Sequence, residues 1–231
     1  MAERRGPLLV AHRGDPAHAP ENTLASFRSA VAKGAKAVEM DLRRSADGVW
    51  VVFHDSTLRR MTGRSGRVAR TGWPALRRLR SGGEPIPTAL QALQWCRREG
   101  VRAFLDVKEA EGEASLFRVI RRSGGMDQVM VGAGKPASLK RWRRLLGERP
   151  LFWVTGFRVP VTRRLVDRAG RMKLAGLAAY RRWANRAAVA RAHRAGLKLY
   201  LWTARTPIQI RRLSALGADG IMSEVWDGRR V

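Results

Sequence analysis

The chain of 231 residues carries 46 lysine and arginine residues against 19 aspartate and glutamate residues, and its formal net charge at pH 7 is +27. Because 45% of the residues are apolar and no segment has the composition of a linker or a low-complexity tract, a disordered or fibrous protein is excluded. The length suits one large α/β core, so we expect residues 1–231 to form a single domain.

The positive charge comes almost wholly from arginine, since the chain has only seven lysines. A field of this sign attracts polyanions, anionic membrane surfaces and phosphorylated substrates. The arginines nevertheless fall mostly on segments that we predict to be solvated helix faces and loops, and no aromatic–basic module recurs. We therefore expect no specific nucleic-acid partner, and we keep an anionic membrane surface as a candidate contact.

The first predicted element is a short apolar run, Leu8–Ala11, which leads into His12. Four apolar residues are too few for the apolar region of a signal peptide or for a membrane span, so we expect a cytoplasmic protein. The single cysteine, Cys96, cannot form an internal disulfide, and the helical periodicity around it predicts a packed side chain.

Short runs with strand character alternate with amphipathic helical segments along the chain, which is typical of a parallel sheet with crossover helices. The predicted strands are Leu8–Ala11, Ala37–Leu42, Ala103–Val107, Gln128–Val131, Leu151–Val154, Lys173–Leu177, Lys198–Thr203 and Gly220–Ser223. The predicted helices are Thr23–Lys33, Thr88–Glu99, Ala114–Ser123, Pro136–Leu146, Pro160–Ala169, Asn185–Ala195 and Thr206–Leu216. Glycines at the helix ends support several of these boundaries: Gly34, Gly100, Gly170, Gly196 and Gly217. Eight strands at this spacing favour a closed (β/α)₈ TIM barrel over an open sheet.

One stretch interrupts the alternation after the second barrel strand. Val49–Phe53 reads as an additional strand, and Asp55–Pro87 contains scattered Gly, Ser, Pro and Arg residues. We interpret it as a short excursion of the barrel. Because loops that follow barrel strands line the active face, we expect the excursion to shape substrate access and, being short, to leave the site open.

Charged residues interrupt the apolar runs at the ends of the first two barrel strands. His12 and Arg13 end the first strand, and Asn22 or Thr23 is a candidate N-cap of the next helix. Alternation along the second strand puts Glu39 and Asp41 on the same inward face. Two inward carboxylates repel each other unless a cation lies between them, and Mg²⁺ or Ca²⁺ is the natural choice.

Two further groups of charged residues follow along the chain. His54 comes directly after the additional strand, and Asp106 and Lys108 alternate on one face of the third barrel strand. Asp106 can supply a third carboxylate to the metal, and Lys108 a fixed positive charge to a phosphate. Trp202, at the end of the seventh strand, is either a core aromatic or part of the substrate pocket.

An ordered set of motifs runs through nearly the whole chain. These motifs are His12-Arg13-Gly14, Pro20-Glu21-Asn22-Thr23, Gly34-Ala35, Glu39-x-Asp41, Asp47-Gly48, Val52-x-His54-Asp55, Thr62-Gly63, Ile86-Pro87-Thr88, Asp106-x-Lys108, Leu201-Trp202-Thr203 and Gly217-Ala218-Asp219-Gly220-Ile221. In this order they resemble the glycerophosphodiester phosphodiesterase family, within the superfamily of phosphatidylinositol-phospholipase-C-like phosphodiesterases.

The resemblance implies a metal-dependent hydrolase that converts glycerophosphodiesters to an alcohol and sn-glycerol 3-phosphate, an activity of lipid and glycerol metabolism. It implies that one Mg²⁺ or Ca²⁺ ion binds to three carboxylates, that two histidines act as general acid and base, and that two basic residues hold the phosphate of a small-molecule phosphodiester substrate. The metal ligands would be Glu39, Asp41 and Asp106; the histidines, His12 and His54; the phosphate ligands, Arg13 and Lys108. Attack by water and attack by a neighbouring hydroxyl of the substrate, which gives a cyclic phosphate, both remain open.

Three positions depart from the family's pattern. Asp106 stands where the family usually has Glu, so the third metal ligand is one methylene shorter. Ala204-Arg205 and Ser223-Glu224 replace the usual residues near the chain's end, and Arg205 is a candidate additional anion contact.

Two alternatives to glycerophosphodiester hydrolysis remain. One is a lysophospholipase D-like phosphodiesterase acting on lysophospholipids. An open basic mouth and interfacial tryptophans would suit such membrane-borne substrates. The candidate interfacial residues are Trp73, Trp142, Trp153, Trp183 and Trp226. The other is an inert basic barrel that binds anionic membrane or nucleic acid, which would show no metal binding and a steep salt dependence.

Overall fold

The structure is a computed structural model that describes residues 6–227. Its strands are β1 Leu8–His12, β2 Ala37–Arg44, β3 Trp50–Val52, β4 Arg80–Ser81, β5 Glu84–Pro85, β6 Arg102–Val107, β7 Val129–Ala133, β8 Leu151–Val154, β9 Gly176–Tyr180, β10 Lys198–Ala204 and β11 Gly220–Ser223. Eight of them, β1, β2 and β6–β11, pair in parallel, and β1 pairs with both β2 and β11. This pairing closes the sheet, so the predicted TIM barrel is confirmed.

Helices fill the connections between the barrel strands. They are α1 Leu24–Ala32, α2 Arg59–Thr62, α3 Trp73–Leu76, α4 Ala89–Arg98, α5 Glu113–Ser123, α6 Pro136–Leu146, α7 Arg163–Arg171, α8 Arg186–Arg194 and α9 Pro207–Ala215. Thr23 caps α1 by accepting a hydrogen bond from the Ser26 amide, which decides between the two predicted N-caps. Among the described residues, no helix has the length and apolarity needed to cross a membrane.

Aromatic rings fill the interior of the barrel. The ring centroids of Phe104, Phe152 and Tyr200, on alternate strands, lie 4.6 to 6.0 Å apart. Glycines on the strands between them make room for the rings: a Cβ at Gly220 would lie 2.6 Å from the Tyr200 ring, and one at Gly132 would lie 2.7 Å from Phe104. The interior is therefore a packed core, and the barrel can open only at its ends.

The excursion after β2 is present as predicted and has a small core of its own. β3 runs antiparallel to the end of β2, with Leu42 opposite Val52. The short elements α2, α3, β4 and β5 follow, and their apolar side chains form a separate cluster that includes Leu58 and Leu76. Because the excursion follows the carboxyl end of β2, it lies beside the C-terminal mouth of the barrel.

The structure corrects the boundary of the sixth barrel strand. The predicted strand Lys173–Leu177 begins instead at Gly176 and ends at Tyr180. Helix α7 continues through Gly170, the predicted C-cap, to Arg171, and Lys173 adopts the positive φ of 52° in the turn that follows. A longer helix leaves fewer residues for the approach to the strand, which therefore starts three residues later. Cys96 is buried in α4, as expected.

Three of the five candidate interfacial tryptophans belong to the interior. Trp142, Trp153 and Trp226 are buried, at 0%, 8% and 8% exposure, so these residues cannot reach a membrane surface. The exposed large apolar side chains among the described residues are instead Phe157 and Ile208, both more than 60% exposed, with Val159 next.

Candidate active site

The carboxyl ends of the barrel strands surround a cavity of about 460 Å³. A volume of this size is typical of a pocket for a small molecule. The sequence-predicted site residues His12, Arg13, Glu39, His54, Asp106, Lys108 and Trp202 line it, and Asp41 lies buried against them. Strand register explains their convergence, because β2 pairs with β1 on one side and with β6 on the other.

Three carboxylates lie at the base of this cavity. Glu39, Asp41 and Asp106 each offer an oxygen within 4.8 Å of the others, and Asp41 stands directly opposite Asp106 in the β2–β6 register. Glu39 and Asp41 are buried, at 2% and 1% exposure. Burial, together with the charges of Asp41 and Asp106, raises the pKa of Glu39 well above its ordinary value.

This arrangement fits a divalent cation. An all-oxygen set of buried carboxylates suits a hard ion such as Mg²⁺ or Ca²⁺. Burial is the largest cause of the raised pKa of Glu39, and the charges of Asp41 and Asp106 add to it, so a cation bound here would favour the ionised carboxylate. Asp106, although a methylene shorter than the expected Glu, still reaches the cluster, because its partner Asp41 sits at the same level of the barrel.

Two basic side chains stand over the carboxylates. The Lys108 ammonium lies 2.7 Å from Asp41 Oδ1 and also donates to Asp106, and these charges outweigh burial and raise the pKa of Lys108. Arg13 Nε is 3.0 Å from Asp41 Oδ2, but it is buried without an aligned hydrogen bond. Asn22 fixes Asp41 from behind by donating to Oδ2 at 2.8 Å and accepting from the Asp41 amide. Burial opposes ionisation of Asp41, yet Lys108 and Arg13 hold its pKa below the ordinary value.

The backbone at Arg13 is held in an unusual conformation. Its φ is +58°, and its amide donates to Glu39 Oε2 at 2.9 Å. Non-glycine residues adopt a positive φ at a cost that the surroundings must offset, and such residues cluster at functional sites. Here the turn after β1 aims both the amide and the guanidinium of one residue at the carboxylate cluster.

Each of the two cavity histidines has a carboxylate behind it. His12 Nδ1 lies 3.1 Å from Glu224 Oε1, and His54 Nδ1 lies 2.7 Å from Asp55 Oδ1. An ionised carboxylate only accepts hydrogen bonds, so Nδ1 carries the proton in both rings and Nε2 is the atom left to exchange protons. Burial opposes ionisation of Glu224, but hydrogen bonds from His12 and Arg205 lower its pKa to about 2.

The excursion supports the site through one arginine. Arg60, in α2, donates to both oxygens of Asp55 and to both oxygens of Glu21, and Glu21 also accepts from Arg13 at 3.1 Å. The pKa of Asp55 is lowered to about 2, first by its hydrogen bond from Arg60. The excursion therefore holds the carboxylate behind His54 as well as bordering the cavity.

The opposite wall of the cavity is aromatic. The Trp202 ring lies 4.8 Å from that of Phe157 and 5.2 Å from that of Tyr180, measured between centroids. The Trp202 indole donates to the Ala178 carbonyl at 3.0 Å, which holds its ring against the pocket. Trp202 is half-buried: it lines the cavity and also packs against the core of the barrel interior, so it has features of both interpretations.

Several residues of the site were missed or assigned differently from the sequence. Arg205, a candidate anion contact, pairs with Glu224 Oε2 at 2.8 Å, and the sequence marks Glu224 only as a departure from a motif. The sequence indicates Asn22 as a candidate helix cap, whereas its side chain binds Asp41. The aromatic Phe157 lies in a loop without any motif, so no signal in the sequence could have identified it.

Comparison with known proteins gives one consistent result. Residues 12–227 match the model of the Glycerophosphoryl diester phosphodiesterase family. A probable glycerophosphodiester phosphodiesterase 2 of Mycobacterium tuberculosis is 29% identical, over 96% of this chain and 89% of that protein. Glycerophosphodiester phosphodiesterase 1 of Bos taurus is 39% identical over 109 residues, which is 43% of this chain and 33% of that longer protein.

Solved structures share the architecture. An Oleispira antarctica phosphodiesterase in complex with the product sn-glycerol-3-phosphate superposes with a TM-score of 0.88 at 27% identity, covering 95% of this chain and 93% of the other. A Silicibacter pomeroyi structure, described as a putative glycerophosphoryl diester phosphodiesterase, gives the same TM-score at 23% identity, covering 98% and 92%. The second similarity concerns the fold alone.

Proposed function

The chain belongs to the glycerophosphoryl diester phosphodiesterase family, and from this premise we propose that it hydrolyses glycerophosphodiesters to an alcohol and sn-glycerol 3-phosphate. The proposal covers residues 1–231 as one catalytic domain. The observation that carries it is that a cluster of three carboxylates shares one cavity with two histidines, each of which contacts a carboxylate through Nδ1. The Oleispira antarctica relative was solved in complex with sn-glycerol-3-phosphate, which is the product proposed for this chain.

Glu39, Asp41 and Asp106 would hold one divalent cation, Mg²⁺ or Ca²⁺. A cation there would supply Lewis-acid stabilisation of the phosphoryl oxygens. Lys108 and the Arg13 guanidinium would hold the phosphate at the same place, and Arg13 Nε is a buried donor still lacking an aligned acceptor. Fixed positive groups aimed at charge that develops on phosphoryl oxygens are worth the most in a site with little water.

His12 and His54 would carry the protons. One ring would take a proton at Nε2 from the attacking hydroxyl or water, while the other would give its Nε2 proton to the departing alcohol oxygen. Glu224 and Asp55 hold the two rings by Nδ1, which keeps both Nε2 atoms available to the cavity. Attack by the substrate's own hydroxyl would yield a cyclic phosphate before glycerol 3-phosphate, and the same residues serve either route.

The test is release of sn-glycerol 3-phosphate from glycerophosphoglycerol, glycerophosphoinositol and glycerophosphocholine, with Mg²⁺, Ca²⁺ or EDTA. We expect activity that requires a cation and falls at least about 100-fold in His12→Ala and His54→Ala, since general acid–base catalysis contributes about that much. His193→Ala is a matched control: His193 also binds a carboxylate, Asp219, but at the opposite end of the barrel. Activity unaffected by EDTA or by either cavity histidine would refute the mechanism, and no hydrolysis of any substrate would refute the function.

A lysophospholipid substrate is a second candidate, and one observation favours it. Phe157 is 63% exposed and Val159 is 39% exposed on the same loop at the rim of the cavity, where they could contact an acyl chain or a membrane surface. Lysophosphatidylcholine and lysophosphatidylglycerol micelles test this candidate. A rise in kcat/KM with the acyl chain that is lost in Phe157→Ser would support it, and equal rates with and without the chain would dismiss it.

A further inference from the structure

Charge is unevenly distributed around the mouth of the barrel. The three carboxylates of the cluster lie on β2 and β6, on one side. On the other side, the segment from Val129 to Ala218, which contains β7, β8, β9 and β10 with their loops, includes two acidic residues, Glu148 and Asp167, and neither lines the cavity. One wall of the cavity is therefore acidic and suited to a metal, and the opposite wall is basic.

Two cations of the basic wall have no acidic partner. Among the described residues 6–227, no carboxylate pairs with Lys135 or Arg181, although both line the cavity. The other cavity cations are matched: Arg13 by Asp41, Lys108 by Asp41 and Asp106, and Arg205 by Glu224. Glu109, the remaining carboxylate of the lining, is occupied by Arg43 at 3.1 Å. With a cation and the substrate's phosphate in place, Lys135 and Arg181 would be the charged side chains of the cavity that still lack a partner of opposite charge.

The aromatic rings of this wall are not free for a cation. A quaternary ammonium group binds to the open faces of aromatic rings. Here the Arg181 guanidinium already lies 5.4 Å from the centroid of the Tyr180 ring, held by a hydrogen bond from Nε to the Thr203 carbonyl at 2.8 Å. A choline group placed against the Tyr180 ring would meet Arg181, and like charges at short range repel.

We propose that Lys135, Arg181 and the rings of Tyr180 and Trp202 form the subsite for the alcohol other than glycerol, and that this subsite takes a polyol bearing an additional anionic group in preference to a cationic alcohol such as choline. Arg13, Lys108 and a cation on the three carboxylates would hold the phosphodiester at the acidic wall, so the group esterified on its far side would face the basic wall. A neutral sugar-like ring packs against the Trp202 ring, and its phosphate or carboxylate meets the two unmatched cations. The proposal deepens the function proposed above and rests on it for the reaction.

The test compares three glycerophosphodiesters that differ in the charge of the second alcohol: glycerophosphoinositol 4-phosphate, glycerophosphoinositol and glycerophosphocholine. We expect kcat/KM to decrease in that order, by about tenfold or more between the first and the last. Arg181→Gln and Lys135→Gln should each reduce the preference for the phosphorylated substrate over glycerophosphoinositol by about five- to tenfold. Arg122→Gln, an exposed cation at the end of α5 and the far end of the barrel, is the matched control and should leave the ratios unchanged.

A binding measurement separates this proposal from the reaction. Titration calorimetry of the same three compounds on His12→Ala with Mg²⁺ should give the same order of affinity, because the variant retains both walls of the cavity. Equal or tighter binding of glycerophosphocholine, undetectable binding of all three, or an order unchanged by Arg181→Gln would overturn the subsite. If the order of binding holds but no compound is hydrolysed by the wild type, the subsite stands and the proposed reaction fails.

Discussion

Removing the charge of Glu224 should slow catalysis through His12. Glu224 contacts His12 Nδ1 at 3.1 Å with one oxygen and Arg205 Nε at 2.8 Å with the other, and its side chain is 23% exposed. Glu224→Gln keeps an oxygen acceptor of the same shape but removes the charge that stabilises a protonated His12. Hydrogen bonds to charged groups contribute about 1.5–3 kcal/mol, and 1.4 kcal/mol is a factor of about ten, so kcat should fall about 10- to 100-fold.

The assay is steady-state release of sn-glycerol 3-phosphate over a range of substrate concentrations. Because Glu224 acts through His12, we expect KM to change less than about twofold. Glu224→Leu, which leaves Nδ1 without an acceptor, should lose more activity than Glu224→Gln. Glu148→Gln, at an exposed position after α6, is the control for loss of one negative charge.

A double-mutant cycle decides whether the effect passes through His12. Once His12 has been replaced by alanine, Glu224→Gln should cause no further loss, because residues that act as a unit are not additive. A full additional loss in the double variant, or a rise in KM at constant kcat, would refute the reasoning and show that Glu224 contacts the substrate instead. Equal melting temperatures of the variants exclude a loss of fold.

Three further predictions concern stability. In EDTA, ionisation of the buried Glu39 destabilises the fold, so the melting temperature should fall as pH rises above the ordinary pKa of a glutamate. Glu39→Gln should flatten this dependence and raise the melting temperature by about a few degrees at pH 7, which thermal denaturation with and without Mg²⁺ would detect. Asp55 and Glu224 both have pKa values lowered to about 2, so their ionised forms stabilise the fold above the unfolded-state pKa near 4, and this contribution is lost as pH falls toward 2. In Asp55→Asn the stability should therefore decrease less between pH 4 and pH 2 than in the wild type, as measured by acid unfolding with circular dichroism. In the barrel interior, Gly220→Ala would place a Cβ 2.6 Å from the Tyr200 ring and should lower the free energy of unfolding by about 1–3 kcal/mol, as measured by urea denaturation. If the clash is the cause, adding Tyr200→Leu should recover part of this loss.

The barrel could be predicted because its signals are local. Strand and helix periodicities, caps and turn glycines repeat along the chain, and eight repeats of one unit leave few alternative topologies. The error at the sixth barrel strand arose where local signals conflict: Gly170 looked like a helix end, yet α7 continued past it and Lys173 took the left-handed turn. Whether a glycine ends a helix depends on what the last turn packs against.

The reactive groups on β2 and β6 could also be predicted, because alternation along a strand decides which residues share a face. Spacing alone predicts that Glu39 and Asp41 share the inward face of their strand, and that Asp106 and Lys108 share one face of theirs. Spacing could not show that Asp41 and Asp106 stand opposite each other, because register between strands depends on how the whole sheet closes.

The repeating architecture, the charged residues of the barrel strands and the family to which they point therefore follow from local patterns along the chain. Which groups meet across the mouth depends on how the barrel closes. His12 and Glu224 are 212 positions apart and come together because β1 pairs with β11 when the barrel closes, with Ala11 opposite Ser223. The unmatched charges of Lys135 and Arg181 likewise depend on where every carboxylate lies, and no local pattern carries that information.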